Sequence, residues 1–261
     1  MGLVGPNGRE IPRCTPEARG RRRLTRGDIM LVLGIETSQR PGTVALCDAS
    51  TCLDERPLEL PNQQHAQALP SVVAALFSDH SRLIDDLALL AVSHGPGSFT
   101  GLRVGMAFAK TLAWATGCPL VPVDTFVAIA TDAPDDVDSL YVVADAHRQE
   151  LFTRHYRRGA DRQWTPTGEF AIESAQAWCR SRQPGDAIAG PALSSILDQL
   201  PDHVRPITLE TSLPRAQAIA TLGRRDHQAG RHAEIATLEP FYLRRSAAEE
   251  NRETRRAAST S

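Results

Sequence analysis

The chain has 261 residues, 41% of them hydrophobic and 23% charged, the balance of a globular protein of one or two domains. A formal net charge of -2 excludes a protein that grips nucleic acid with its whole surface, because phosphate-backbone binding needs clustered positive charge. No apolar run approaches the roughly 20 residues that span a bilayer, so no membrane partner is expected, and the basic N-terminus lacks the apolar segment of a secretion signal. Nearly all the positive charge is arginine, Lys110 being the one lysine, as in a GC-rich coding sequence. Cys14, Cys47, Cys52, Cys118 and Cys179 are scattered without a Cys-x-x-Cys pair. That spacing points to neither a zinc knuckle nor a redox dithiol, and it suits a reducing cytoplasm.

Residues 1–29 are rich in Gly, Pro and Arg, carry Arg21-Arg22-Arg23, and show no periodicity. They read as an extension, either disordered or upstream of a true start at Met30; a basic arm touching RNA is the third reading. The fold is expected to begin at Leu31. Leu31–Ile35 is a buried strand, Gln39–Gly42 a turn, Thr43–Cys47 a second strand, and a third lies between Thr51 and Leu60. Strands so closely spaced form an antiparallel meander. Between Gln63 and Ser78, the positions Leu69, Val72, Val73, Leu76 and Phe77 fall on one stripe, which predicts an amphipathic helix.

Leu87–Val92 is a further buried strand and runs into the turn His94–Thr100. A second helix covers 101–116 and stops at Gly117 in a C-cap position. A strand at Leu120–Val123 and a helix from Thr125 close the first half. The second half opens with strands Leu140–Ala144 and Glu150–Tyr156, joined by Asp145-Ala146-His147-Arg148, and adds a short strand at Ala187–Ala189 and a helix from Ala216 to Gly230. Residues 247–261 are polar and read as a disordered tail. This order implies an α/β layered fold with one unit at 30–132 and a second, smaller variation on it at 133–246.

The segment His94 to Gly105 is the most informative stretch. Its glycines surround a strand-to-helix turn where bare backbone lets an anion approach helix N–H groups, so Gly95, Gly97, Ser98 and Thr100 are candidates for a phosphate loop. A tight turn serving backbone geometry alone explains the same residues. The spacing is not that of a P-loop, and no Gly-x-Ser-x-Gly nucleophile elbow occurs here. Along the following helix Gly101, Gly105, Ala109 and Ala113 recur every four residues and make a groove that admits a close-packed helix, from this chain or from another.

Gly95-Pro96-Gly97-Ser98-Phe99-Thr100-Gly101-Leu102-Arg103-Val104-Gly105 resembles the signature loop of the TsaB (YeaZ) family. Leu33-Gly34-Ile35-Glu36-Thr37-Ser38, Asp145 to Phe152, and Pro240-Phe241-Tyr242-Leu243-Arg244 follow in the family's order. The resemblance covers about Met30 to Arg245. It implies the actin/Hsp70/sugar-kinase (ASKHA) superfamily, with two ribonuclease-H-like subdomains. It also implies a subunit without catalysis, cofactor or metal of its own, needed by TsaD for threonylcarbamoylation of adenosine 37 in tRNA.

TsaD, the metal-dependent relative, carries a His-x-x-x-His pair at the start of its first long helix. Here His65 is followed four residues later by Leu69, so the pair is missing. Glu36 stands where the family's first strand ends in aspartate, the acid that in superfamily kinases helps hold a hydrated metal near nucleotide phosphates. The implied partners are TsaD, through a four-helix bundle, then TsaE, with tRNA contacted indirectly; homodimers form when TsaD is absent. The interface is expected at Leu69, Val72, Val73 and Leu76 beside Gly101, Gly105, Ala109 and Ala113. The alternative is an independent ASKHA-type enzyme, metallopeptidase-like or kinase-like.

Overall fold

A computed structural model describes residues 30–48, 51–59, 65–207 and 213–242. The expectations for residues 1–29 and for 247–261 lie outside these. The first sheet contains β1 (Leu31–Glu36), β2 (Thr43–Cys47), β3 (Cys52–Pro57), β4 (Leu87–Gly95) and β5 (Leu120–Asp124). Its order is β3-β2-β1-β4-β5, with β1–β2 and β2–β3 antiparallel and β1–β4 and β4–β5 parallel.

Both faces of this sheet are covered, which is why β1 is apolar at nearly every position rather than alternating. Leu31, Leu33 and Ile35 pack under α1 (His65–Asp79) and α2 (Phe99–Thr116), while Val32 faces α6 (Ala216–Gln228) on the other side. Each leucine fully buried this way contributes about 1.5–3 kcal/mol. Helix α2 starts at the N-cap Ser98, whose hydroxyl accepts from the Gly101 amide, and ends at Gly117 in the left-handed region with φ 69°.

The second sheet is built from β6 (Ser139–Asp145), β7 (Glu150–Arg158), β8 (Trp164–Pro166), β9 (Ala171–Ser174), β10 (Ala187–Ala189) and β11 (Arg205–Pro206). Its order is β11-β10-β6-β7-β8, and β9 also pairs with β7. The pattern repeats the first sheet: an antiparallel start at β6–β7, then β10 parallel to β6 and β11 parallel to β10. Val143 and Leu151 pack with α4 (Ala175–Arg180) and α5 (Leu193–Ile196). Leu140, Val142 and Tyr156 pack with α3 (Thr125–Thr131), which lies between the two sheets. Asp124 caps α3 by accepting from Phe126 N at 2.8 Å and Val127 N at 3.3 Å, and it meets Arg154 of β7 at 3.3 Å. Two ribonuclease-H-like layers joined in this way are the expected ASKHA architecture.

The expected boundary of the second unit, 133–246, is corrected. After Ile207 the chain returns: α6 packs on the first sheet, and Phe241 N donates to His94 O at 2.8 Å. The physical reason is close approach. A Cβ at Gly34 of β1 would overlap the Ala216 carbonyl oxygen, and one at Gly223 of α6 would overlap Ala91. The second unit therefore ends near residue 207, and the chain's last described elements belong to the first.

Candidate functional site

The eight residues expected at a partner interface lie inside the chain, and that expectation is corrected. Leu69, Val72, Val73 and Leu76 are at most 7% exposed and form the core with β1, β2 and β4. Ala109 and Ala113 are fully buried beside them. A Cβ at Gly101 would overlap the Thr37 carbonyl oxygen, and one at Gly105 the Thr37 hydroxyl. The stripe of small residues is there because α2 lies flat on the end of β1. One helix face cannot cover its own sheet and also receive a partner.

The outer faces of the same two helices are a different surface. Ser71, Ala74, Ala75 and Ser78 are exposed on α1 at spacings of three and four. Thr100, Arg103, Ala107, Thr111 and Trp114 are exposed on α2, with Val104, Phe108 and Leu112 half-buried beside them. Trp114 is 60% exposed. This face was missed in the sequence because small residues lie on both sides of α2, and spacing alone does not say which side the sheet takes.

The glycine loop is joined to the end of β1. Ser98 N donates to Ser38 O at 2.7 Å, and a Cβ at Gly97 would run into Ser38. Gly95, with φ 117°, lies under the Phe241 carbonyl. Of the four phosphate-loop candidates, Gly95 and Gly97 are therefore used for close packing, and Ser98 is the helix cap. Thr100 is exposed in the first turn of α2.

Beneath the loop, Glu36, Thr37, Ser38 and Ser93 are all fully buried. The Glu36 carboxylate turns back onto its own chain and accepts from Ser38 N, while Thr37 N donates to Ser93 Oγ at 3.2 Å. Glu36 Oε2, Thr37 Oγ1 and Ser38 Oγ have no hydrogen-bond partner. Burial pushes the Glu36 carboxyl up to about 7, against the opposing hydrogen bond from the Ser38 amide. A carboxyl with no exposed surface, folded onto its own backbone, does not fit the superfamily's role of holding a hydrated metal in an open cleft. Leu69, where a second imidazole would stand in α1, belongs to the core. Among the described residues no group of three or more His, Cys, Asp or Glu side chains is placed to bind a metal.

The chain's return closes over the loop. His94 Nε2 meets Glu239 O at 2.8 Å, and burial holds its imidazole below the usual histidine range. Lys110 Nζ donates to Leu238 O at 3.0 Å, and Arg103 Nε donates to the Tyr242 hydroxyl at 2.9 Å. The Arg103 guanidinium also sits 3.8 Å from the centroid of the Phe99 ring. The sequence shows no partner for His94, because its partner lies 145 residues away. The aromatic pair Phe241-Tyr242 was the available signal.

In the second half, Asp145 accepts from His147 N at 2.7 Å and so caps the turn. His147, Arg148 and Gln149 all have φ near +60°. Asp145, Gln149 and Glu150 line a cavity of about 480 Å³ with Leu151, Ser174, Ser195 and Ile196. Gly190 is shaped by packing, since a Cβ there would overlap the Val143 carbonyl oxygen.

Residues 59–189, half of the chain, match the family model described as TsaD, tRNA N6-adenosine threonylcarbamoyltransferase. A Bacillus subtilis relative named tRNA threonylcarbamoyladenosine biosynthesis protein TsaB is 27% identical over 226 residues, 84% of this chain and 96% of its own length. The Escherichia coli protein of the same name is 30% identical over 137 residues, 52% of this chain and 58% of its own. The solved structure of YeaZ from Pseudomonas aeruginosa superposes with a TM-score of 0.70 at 22% identity, covering 82% of this chain and all of the other. The repeated sheet topology, the helix on the glycine loop and these relatives together place the chain in the TsaB (YeaZ) family.

Proposed function

We propose that this protein is the partner subunit that TsaD requires to make threonylcarbamoyladenosine at position 37 of tRNA, and that it performs no chemistry of its own. The observation that carries this reading is the outer face of α1 and α2. It combines short side chains with a bare tryptophan, a surface that lets helices of another subunit come close. The interface residues in this proposal are Ala74, Ala75, Ala107, Thr111 and Trp114. Without TsaD, the same face supports a homodimer. TsaE joins the heterodimer, and tRNA is contacted through TsaD in the cytoplasm. The closed packing around Glu36 supports a role without nucleotide chemistry in this subunit.

The test is co-expression with TsaD of the same organism, followed by size-exclusion chromatography and a modification assay. Ala74→Arg and Ala107→Arg change exposed helix positions, so the monomer's stability should stay within about 0.5 kcal/mol. Each should weaken the complex at least tenfold, about 1.4 kcal/mol, and modification should fall in parallel and recover at high subunit concentration. Normal binding by both variants would place the interface elsewhere. Product formed by this chain alone, with TsaD rigorously absent, would favour the independent enzyme.

A further inference from the structure

The sequence spacing of the cysteines hides a pair. Cys47 ends β2 and Cys52 begins β3, and the strand register makes them facing partners. The register shifts between Leu46 and Cys47, and Asp48 N donates to Thr51 O just beyond the pair. Facing residues of an antiparallel pair have Cα atoms about 4.5–5.5 Å apart, inside the range of about 4.4–6.8 Å that a disulfide spans. Their side chains leave the sheet on the same face. Both thiols are free, and the Cys52 thiol donates to the Asp54 carbonyl at 3.5 Å. Cys47 is 6% exposed, whereas Cys52 is half-buried. Both line a cavity of about 380 Å³ together with Asp48, Thr51, Gln217 and Arg224.

We propose that Cys47 and Cys52 are a reversible redox pair, oxidised through the cavity by small disulfides of the glutathione class. Cys52 is the attacking sulfur, because it is the more accessible. Cys52 loses its proton to solvent and attacks one sulfur of the small disulfide. That S–S bond breaks, and the departing sulfur leaves as a thiolate and takes up a proton. Cys47, losing its own proton, then attacks the Cys52 sulfur of the mixed disulfide and expels the second small thiol. Two protein thiols are oxidised to one disulfide while one small disulfide is reduced to two thiols. Excess small thiol reverses both steps. Burial pushes both cysteine thiols up, so exchange is slow at neutral pH, and geometry rather than high reactivity selects this pair. The bond would tie the ends of β2 and β3 beneath α6, where Arg224 Nη1 donates to Asp48 O at 2.9 Å.

The test incubates the reduced full-length chain with excess oxidised glutathione, then blocks free thiols and maps the peptides by mass spectrometry. The wild type should end with a Cys47–Cys52 bond and no retained glutathione, and reduced glutathione should restore both thiols. Cys47→Ser should trap glutathione on Cys52, and folded Cys52→Ser should leave Cys47 unmodified. The proposal is overturned if the wild type keeps glutathione on Cys52 or leaves Cys52 unreacted. A bond from either cysteine to Cys14, Cys118 or Cys179 overturns it too, as does glutathione on Cys47 in Cys52→Ser. Should a serine variant fail to fold, the wild-type map decides alone.

Discussion

The two sheets share one topology but are held together differently. In the first, helices from both ends of the chain cover both faces, and backbone approaches backbone at Gly34 and Gly101, while Gly223 lies against the Ala91 methyl group. In the second, one face rests on α3, and the other on the short helices α4 and α5 gathered around Trp178. Its margin is thin: β9 is largely exposed and β11 has two residues. The same strand order can thus be covered by long helices that add close glycine and alanine contacts to an aliphatic core, or by short helices gathered around a few large side chains. Because α1 and α2 each cover the first sheet with one face, their other faces stay exposed.

The comparison can be broken at Trp178, where the largest effect is expected. Trp178→Ala removes the largest fully buried side chain of the second unit and should cost about 3–5 kcal/mol. Hydrogen exchange should quicken first in β6, β10 and α4 while β1 and β4 stay protected. Equal loss of protection in both sheets would mean that the two units unfold as one.

A smaller effect tests the close contacts of the first sheet. Gly101→Val forces two methyl groups against the Thr37 carbonyl and should cost about 3 kcal/mol in chemical denaturation. Gly168→Val, in the second unit, meets open space and should stay within about 0.5 kcal/mol. Similar losses at both positions would remove the contrast.

The third prediction sharpens the comparison through pH. Glu36 has a folded pKa of about 7 against an ordinary 4.5, because it is buried. Below pH 4.5 it is protonated in both states and costs nothing. Between pH 4.5 and 7 the unfolded chain gives up the proton first, so stability falls as pH rises, and the penalty levels off above 7. A shift of that size corresponds to about 3 kcal/mol. Glu36→Gln should remove this part of the pH dependence, so that the variant gains on the wild type from pH 5 to 8 in denaturation curves. A constant difference between them across that range would mean that Glu36 does not titrate in this way.

Much of the local structure was legible in the residues. The run Leu31–Ile35, the cap Ser98, the stop at Gly117 and the turn acid Asp145 act over a few positions, and their physics is local. The exposed face proposed for the partner was not legible, because Ala107 and Ala109 are the same residue type two positions apart on one helix. Only the Ala109 side faces the sheet. The pairing of Cys47 with Cys52 was equally hidden, since it depends on the register of two strands rather than on a spacing motif.

By itself the sequence determined which segments become strands and helices, and its glycine loop carried the family resemblance. Those outcomes follow from hydrophobic period, cap chemistry and backbone freedom, all of which act within a few residues. Tertiary structure alone decided that α6 returns to the first sheet, that His94 finds the Glu239 carbonyl, and that Glu36 is sealed from water. Each of these depends on chain segments tens to hundreds of positions apart arriving at one place, and no local pattern encodes which surfaces will meet.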